Sequence, residues 1–415
     1  MLAVRGYGLL VRLASLFNNK AAAWVKGRKD WERKLEEGLG EVRQPVIWFH
    51  CASTGEFEQG QPILKALKTT YPSHLVVLTF FSPSGYEARK NEPLANIVTY
   101  LPEDTHRNAR RFLDIVKPQM AFFVKYEFWY CYGLELKRRS IPFFCVSAIF
   151  RPGQLFFSIY GGFFRRILTR YTHLFVQDRE SLELLYRHAV VSVTVSGDTR
   201  FERVVENSGR EASMPFIESF CRDKNVLVAG STWPEDDVLL ASLMERVPGL
   251  RLVLVPHELS ADGLKRLARR FTDPPVFYSD LTEPPPPDCR VLIIDKMGIL
   301  SLLYRYGRYA YVGGGFGKGI HNILEPAVYG SPVFFGPHFK KFREAVQLVG
   351  KGGAFPLRSA GEMAEKISAL DQDISHYTRI RETNRSYISG NTGATRLIMN
   401  YLMQNFPGRP ARSDE

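Results

Sequence analysis

Twice along this chain, short apolar runs alternate with longer amphipathic stretches, and a polar interruption separates the two series. In the first series Val46–Phe49, Leu75–Phe80, Met120–Val124 and Phe143–Val146 are apolar nearly throughout, as strands buried on both faces are; Leu174–Gln177 and Val193–Val195 continue it. Between them Gln61–Thr70, Ser84–Arg89, Asn108–Val116 and Gly133–Arg139 carry the helical period. Strand–helix alternation of this kind predicts a parallel α/β sheet with helices on both faces. The pattern restarts after 207–223, whose Gly209 and Ser213 read as a linker, with strands at Val226–Ala229, Leu252–Val255, Val291–Ile294, Tyr309–Val312 and Pro332–Phe335. Two Rossmann-like domains, 41–206 and 224–393, are therefore expected, facing across a cleft where ligands bind at the carboxyl ends of strands. A helix from Ala394 to Met403 and a polar tail complete the chain as a separate segment, 394–415.

A chain of 415 residues is too long for one ordinary core, in keeping with two domains. The five cysteines form no CxxC pair and no cluster with histidine, which speaks for a reducing compartment and against a structural zinc site. Lysine and arginine total 55 against 43 acids, a formal net charge of +12. Such a balance fits nucleic acid, an anionic membrane surface or a phosphorylated substrate. No RNP-like, zinc or helix-turn-helix pattern accompanies it, so no nucleic-acid partner is expected.

The first 29 residues hold six cations and no acid. No apolar stretch reaches the roughly 18 residues of a membrane span. Arg12 interrupts the apolar run, and no small-residue cleavage site follows it. On a helix Arg5, Gly8, Arg12, Ser15 and Asn19 share one face, with Leu9, Leu10, Leu13, Leu16 and Phe17 opposite and Trp24 close to a basic cluster. Residues 1–40 are read as an amphipathic segment lying at a membrane surface, the alternative being a helix packed on the protein's own core.

Three places carry chemistry. The run Gly313-Gly-Gly-Phe-Gly-Lys-Gly-Ile-His-Asn-Ile-Leu-Glu325 follows a predicted strand, and Asn322–Tyr329 can open a helix. Its glycines would let the backbone approach an anion, or would simply make a tight turn. It is no Walker A, because Gly319 stands where Ser or Thr must follow Lys318, and no strict G-x-G-x-x-G fits. Glu325 can accept from both hydroxyls of a ribose, or can complement a helix dipole. Glu56, just past the first strand, is placed to take a proton from a hydroxyl, or to cap the following helix. Glu127, set among aromatics in Lys125-Tyr-Glu-Phe-Trp-Tyr, either positions an acceptor hydroxyl or a base, or pairs with Lys125 or an arginine.

Six ordered motifs link these places: Trp48-Ile-Phe-His-Cys-Ala-Ser53-Thr-Gly55-Glu56, Glu127-Phe-Trp129, Gly197-Asp-Thr-Arg-Phe201, Gly230-Ser-Thr232, Pro256-His257 and Gly319-Ile-His321-Asn322-x-x-Glu325-Pro326-Ala327. In that order and spacing they resemble the bacterial Kdo transferases, the glycosyltransferases that build the inner core of lipopolysaccharide. The resemblance implies a GT-B fold and transfer of Kdo from CMP-Kdo to a tetra-acylated lipid A precursor. The N-terminal domain would then bind the acceptor and the C-terminal domain the donor. It implies Glu56 as base and places CMP against Gly230, Ser231, Thr232, Met297, Gly298, Asn322 and Glu325, with Gly319 and His321 at the phosphate end. Relatives often carry arginine where Trp233 stands, and beside the histidine of Pro256-His257; here Lys296, His257 or Lys318 would meet the phosphate instead. The location implied is the cytoplasmic face of the inner membrane, peripheral or monotopic.

The chemistry expected is a single inverting displacement with an oxocarbenium-like transition state, CMP leaving as its charge meets backbone amides and helix N-termini. No Asp-x-Asp pair stands out, and Glu235-Asp-Asp237 reads as a helix's first turn, so neither metal nor cofactor is expected. From Phe150 to Tyr171, Phe156, Phe157, Tyr160, Phe163 and Phe164 alternate with Arg151, Arg165, Arg166 and Arg170, which would suit the acyl chains and phosphates of a glycolipid acceptor, or else make a buried helix with a basic flank. The competing assignment is another GT-B enzyme acting on a UDP-sugar, a transferase or an epimerase.

Overall fold

The computed structural model describes residues 2–40 and 44–407. The chain divides into two compact units: one runs to Arg203 and takes in the chain again from Thr392, the other is Val204–Asn391.

In the first unit seven parallel strands, β1 (Val46–Cys51), β2 (Leu75–Phe80), β3 (Ile97–Tyr100), β4 (Pro118–Val124), β5 (Phe143–Ala148), β6 (His173–Val176) and β7 (Val193–Val195), stand in the order β3-β2-β1-β4-β5-β6-β7. The order reverses between β1 and β4, the point at which open α/β sheets bind ligands beyond the strand ends. Both sheet faces are buried, which is why the strands read as unbroken apolar runs. One face packs Trp48, Phe112, Phe123 and Tyr132; the other packs Phe49, Phe57, Leu64 and Phe122.

The second unit repeats the plan with β8 (Asn225–Thr232), β9 (Leu250–Pro256), β10 (Val276–Phe277), β11 (Val291–Ile293), β12 (Tyr309–Val312), β13 (Val333–Phe335) and β14 (Ala354–Pro356), in the order β10-β11-β9-β8-β12-β13-β14. Here the reversal falls between β8 and β12. Two seven-stranded parallel sheets with interleaved helices are the two Rossmann-like halves of a GT-B fold.

Two elements depart from the expected division. The stretch 207–223, read as a linker, contains the helix Pro215–Cys221, whose Ile217 and Phe220 are buried in the second unit's core. The helix Ala394–Asn405, expected as a separate segment, joins the first unit: Ile398, Met399 and Leu402 lie in the core beside Ile47, Phe49 and Leu64. Glu202 fixes its start by accepting from the backbone N–H groups of Gly393 (3.0 Å) and Thr395 (2.9 Å), standing in for the capping side chain that Gly393 lacks.

At the other end the helices Leu2–Ala14 and Asn19–Gly27 pack on the first unit by one side. Trp24 is buried beneath the Arg28 guanidinium, 3.9 Å from its ring, and Arg28 donates to the carbonyls of Leu101 and Phe81. Trp24 and Arg28 are thus internal rather than facing a membrane. Leu9, Leu10, Leu13, Leu16 and Phe17 remain exposed, Phe17 by 91%. Among the described residues no helix is long and apolar enough to cross a membrane.

Candidate active site

The carboxyl end of β1 runs into Ala52-Ser53 and the helix Thr54–Thr70. Ser53 caps that helix, its Oγ accepting from Glu56 N, while Glu56 Oε2 accepts from the N–H groups of Ala52 (2.6 Å) and Ser53 (3.2 Å). Glu56 is therefore a capping residue, as one of its two readings held. Two backbone donors to one oxygen would lower its pKa, yet burial, helped by the charge of Glu127, prevails and raises it to about 7. Its Oε1 accepts no hydrogen bond from the described residues. A carboxyl half protonated near neutrality, held by one oxygen and open at the other, is suited to take a proton from a hydroxyl.

Glu127 enters from the neighbouring strand across the reversal. After β4 the chain turns at Lys125, whose φ of 67° is left-handed, and Glu127 is buried. Its carboxylate's hydrogen-bond partners are an indole and an imidazole. Its Oε2 accepts from Trp129 Nε1 at 2.8 Å and lies 3.1 Å from His50 Nε2. The segment is fixed from outside: the helix Tyr130–Arg138 has no cap of its own, and the buried Asp104 accepts from the N–H groups of Tyr130, Cys131 and Tyr132 at 2.8–3.1 Å.

Glu127 forms part of the wall of a cavity of about 1270 Å³. Phe128, Trp129, Leu155, Phe156, Phe163 and Ile167 make the wall largely apolar, with Asp104, His106 and Arg151 among its polar members. Of the aromatics of 150–171, Phe156, Phe163 and Phe164 line this cavity whereas Phe157 and Tyr160 do not, and the arginines divide too. Arg151 lines it, whereas Arg165 donates to the carbonyls of Phe156 and Ser158, and Arg170 to that of Tyr130. His106 also borders a smaller groove with Arg107, Arg110 and Arg111 that the sequence reading did not single out.

In the second unit a cavity of about 300 Å³ sits at the reversal between β8 and β12, lined by Ser231, Gly298, His321, Asn322 and Glu325 with Leu300, Ser301 and Tyr304. Ser231 has a left-handed φ of 55° where the register of β8 slips, strain of a kind found at ligand sites. A Cβ on Gly230 would collide with Tyr304 Oη and Leu300. Asn322 Nδ2 donates to Glu325 Oε1 at 3.0 Å, fixing a carboxylate in the first turn of the short helix Leu324–Ala327. Two glycines of the run lie close against backbone: a Cβ on Gly313 would meet Ser231 and Thr232, and one on Gly315 would meet Gly336. Of the remaining candidates, Thr232 is buried, Lys296 and Met297 are exposed, and Gly319 (φ 129°) lies against Lys341 and Phe342; none of the four lines this cavity.

His257 is outside it too, but stacks in a column with Trp233 and His321, successive centroids 4.6 Å apart. Trp233 Nε1 donates to His321 Nε2 at 3.1 Å, and burial with the nearby His257 lowers the His321 pKa. Asp236 is consumed internally, accepting from Tyr311 Oη, Gly314 N and Trp233 N, and the acidic run opens the helix Pro234–Arg246.

The family described as 3-deoxy-D-manno-octulosonic-acid transferase (kdotransferase) matches residues 29–203. The 3-deoxy-D-manno-octulosonic acid transferase of Aquifex aeolicus is 29% identical over 354 residues, covering 83% of this chain and 92% of that protein. That of Haemophilus influenzae is 26% identical over 374 residues, covering 86% of each. The chain is similar to Kdo transferases over most of its length, residues 29–203 matching the family itself. It is accordingly a glycosyltransferase, and the family match spans the strand ends that carry Glu56 and Glu127. Among solved structures, the UDP-GlcNAc 2-epimerase from Neisseria meningitidis is similar at 16% identity with a TM-score of 0.62, covering 87% of this chain and 100% of that one. This likeness is one of fold, two Rossmann-like halves in sequence.

Proposed function

We propose that this Kdo transferase uses CMP-Kdo as donor and a tetra-acylated, phosphorylated lipid A precursor as acceptor, in lipopolysaccharide inner-core synthesis. The observation that carries the reading is the carboxylate pair of the first unit. Glu56 is poised near neutrality, and its neighbour Glu127 lines a cavity roomy and apolar enough for an acylated sugar. In a single inverting displacement, Glu56 accepts the proton of the attacking hydroxyl as the glycosidic bond forms, and CMP departs with the bonding electrons. Glu127 orients that hydroxyl through Oε1, its other oxygen being engaged by Trp129 and His50.

The second unit's cavity is the proposed nucleotide site: Glu325, held by Asn322, accepts from the ribose hydroxyls, with Ser231 and Gly298 beside them. His257 and His321 meet the donor's negative charge, a reading supported by the stacking of His257 on His321, which lines the cavity. No divalent metal is required, a reading supported by the internal engagement of Asp236. The exposed apolar residues of the first helix rest at a membrane surface, the cytoplasmic face of the inner membrane, as a peripheral or monotopic attachment.

The test is incubation with CMP-Kdo and the tetra-acylated precursor, read by mass spectrometry. A product heavier by Kdo, formed equally in the presence of a chelator, is expected. Consumption of UDP-sugars with no turnover of CMP-Kdo would overturn it.

A further inference from the structure

Trp233 stands directly after β8, where the helix Pro234–Arg246 begins, and no step described so far uses it. Its backbone N–H donates to Asp236 Oδ2 at 2.9 Å, and the same oxygen accepts from Gly314 N at 2.8 Å. One buried carboxylate thus ties the tryptophan to the glycine run. That run in turn carries His321, whose N–H donates to the Gly313 carbonyl at 3.1 Å. Backbone bonds therefore pin both residues before their side chains meet. The indole Nε1 lies 3.1 Å from His321 Nε2. An indole nitrogen can only donate, so Nε2 accepts, and the proton of the neutral imidazole sits on Nδ1.

The Cδ2 edge of the ring lies toward Gly314, where a Cβ would come within 3.2 Å of it, and this leaves Nδ1 on the opposite edge. Nδ1 makes no hydrogen bond among the described residues, and His321 belongs to the wall of the small cavity beside Asn322 and Glu325. Among the described residues no lysine or arginine lines that cavity, and Glu325 is an acid. We infer that Trp233 is a positioning residue for the donor: its indole locks His321 as a neutral Nδ1–H donor, so the site takes the single negative charge of a phosphodiester through a hydrogen bond and not through a fixed cation. The inference rests on the reading of this cavity as the nucleotide site.

Protonating His321 would set an Nε2–H against the indole N–H, two donors facing one another, so the indole itself opposes the cation. Burial first, and then the nearby His257, act in the same direction on the His321 pKa. The other titratable groups around the ring are Tyr304 and Glu325, which line the same cavity, and Asp236, already bonded to Trp233 N, Gly314 N and Tyr311 Oη. Burial holds Tyr304 neutral. Lys318 of the glycine run is exposed, and Lys341 donates to its carbonyl. A second phosphate would bring a second negative charge to a wall that offers it no cation and already holds Glu325. A nucleoside diphosphate therefore gains nothing here over a monophosphate, and that is the physical difference between a UDP-sugar and a CMP-sugar as donor.

The experiment labels the nine histidines of the full-length protein with nitrogen-15 and reads their tautomers from proton–nitrogen correlation spectra, the signals lost in His321→Gln giving the assignment. His321 is expected in the neutral Nδ1–H form from pH 8 down to 5.5, its Nδ1 signal moving when CMP is added. In Trp233→Phe, which keeps a ring to stack on His257 and loses only the donor, the same imidazole should become protonated as the pH falls. A merely structural tryptophan would change the melting temperature and leave the tautomer alone. By calorimetry His321→Asn, whose amide can donate from the Nδ1 position, should bind CMP close to wild type. His321→Gln, whose amide reaches only the Nε2 position, should bind on the order of tenfold more weakly. CDP should bind no tighter than CMP. An Nε2–H or protonated His321 in the wild type at pH 7 overturns the inference, as does undiminished CMP binding by His321→Gln or a CDP affinity tenfold above that for CMP. Failure of the wild type to bind CMP overturns the reading beneath it. If Trp233→Phe does not fold, the wild-type tautomer and the Asn and Gln variants decide alone.

Discussion

The carboxylate of Glu56 accepts the backbone N–H of Ala52 at 2.6 Å, tying the proposed base to the last turn of chain before its own helix. That bond lowers the Glu56 pKa, and burial with the Glu127 charge overcomes it, leaving a value of about 7. Since the base acts when ionised, kcat/KM should rise with pH through about 7 and level above it. Glu56→Gln should cost about 10²–10⁴-fold in kcat. Initial rates with CMP-Kdo across pH 5.5–8.5 check both; a flat profile in the wild type would exclude this group.

The same shift has a sign for stability. Because the folded pKa exceeds the unfolded value near 4.5, the folded state holds a proton the unfolded state has released, and stability falls as pH rises from there to about 7. Glu56→Gln has no such proton to lose. The melting temperature of the variant relative to wild type should therefore increase across that window and stay constant above it, a residue kept for chemistry at the expense of the fold.

Asp104 is predicted to matter for placement and not for proton transfer. Its three backbone acceptor bonds are the cap of the helix Tyr130–Arg138 and hold Glu127–Trp129 against the cavity. Asp104→Ala should lose about 2 kcal/mol of stability, seen as a lower denaturant midpoint. It should raise the acceptor KM while leaving the acid limb where it is.

In the donor unit Gly230 is the sharpest probe. A methyl group there meets Tyr304 Oη and Leu300, both lining the small cavity. Overpacking of this kind costs about 1–3 kcal/mol. Gly230→Ala should weaken CMP binding, by calorimetry, by on the order of tenfold or more, and leave the first unit's melting intact.

Leu9, Leu10 and Leu13 lie exposed on the first helix, while Trp24 and Arg28 anchor the neighbouring helix to the sheet. Replacing the three leucines by serine should release the protein from anionic vesicles in flotation assays without unfolding it. Replacing Trp24 by alanine should instead destabilise the unit.

Much of this was legible in the sequence because burial on both faces writes a strand as an apolar run. Glu56 and Glu127 were found because each follows such a run at the sheet's reversal. Shorter or half-buried elements left weaker marks. Ile97–Tyr100 is only partly buried until Tyr100, and Pro215–Cys221 has seven residues beginning with proline. His50 stood inside the first motif, yet a lone histidine in an apolar strand reads as filling; only the geometry shows its contacts with Thr79, Glu127 and Trp129. The glycine run carried two readings at once, since close packing of backbone on backbone selects glycine as strictly as a ligand would. Partners distant in sequence, such as Glu202 with Gly393, leave no local signal at all.

That last pairing bears on how the protein is made. Ile47, Phe49 and Leu64 acquire their cover from Ile398, Met399 and Leu402, which leave the ribosome long after the sheet they seal. The first unit must wait, with an open greasy face, while the entire second unit is translated and folds. Chaperone demand during synthesis, and loss of stability on truncation ahead of Ala394, follow from one returning helix.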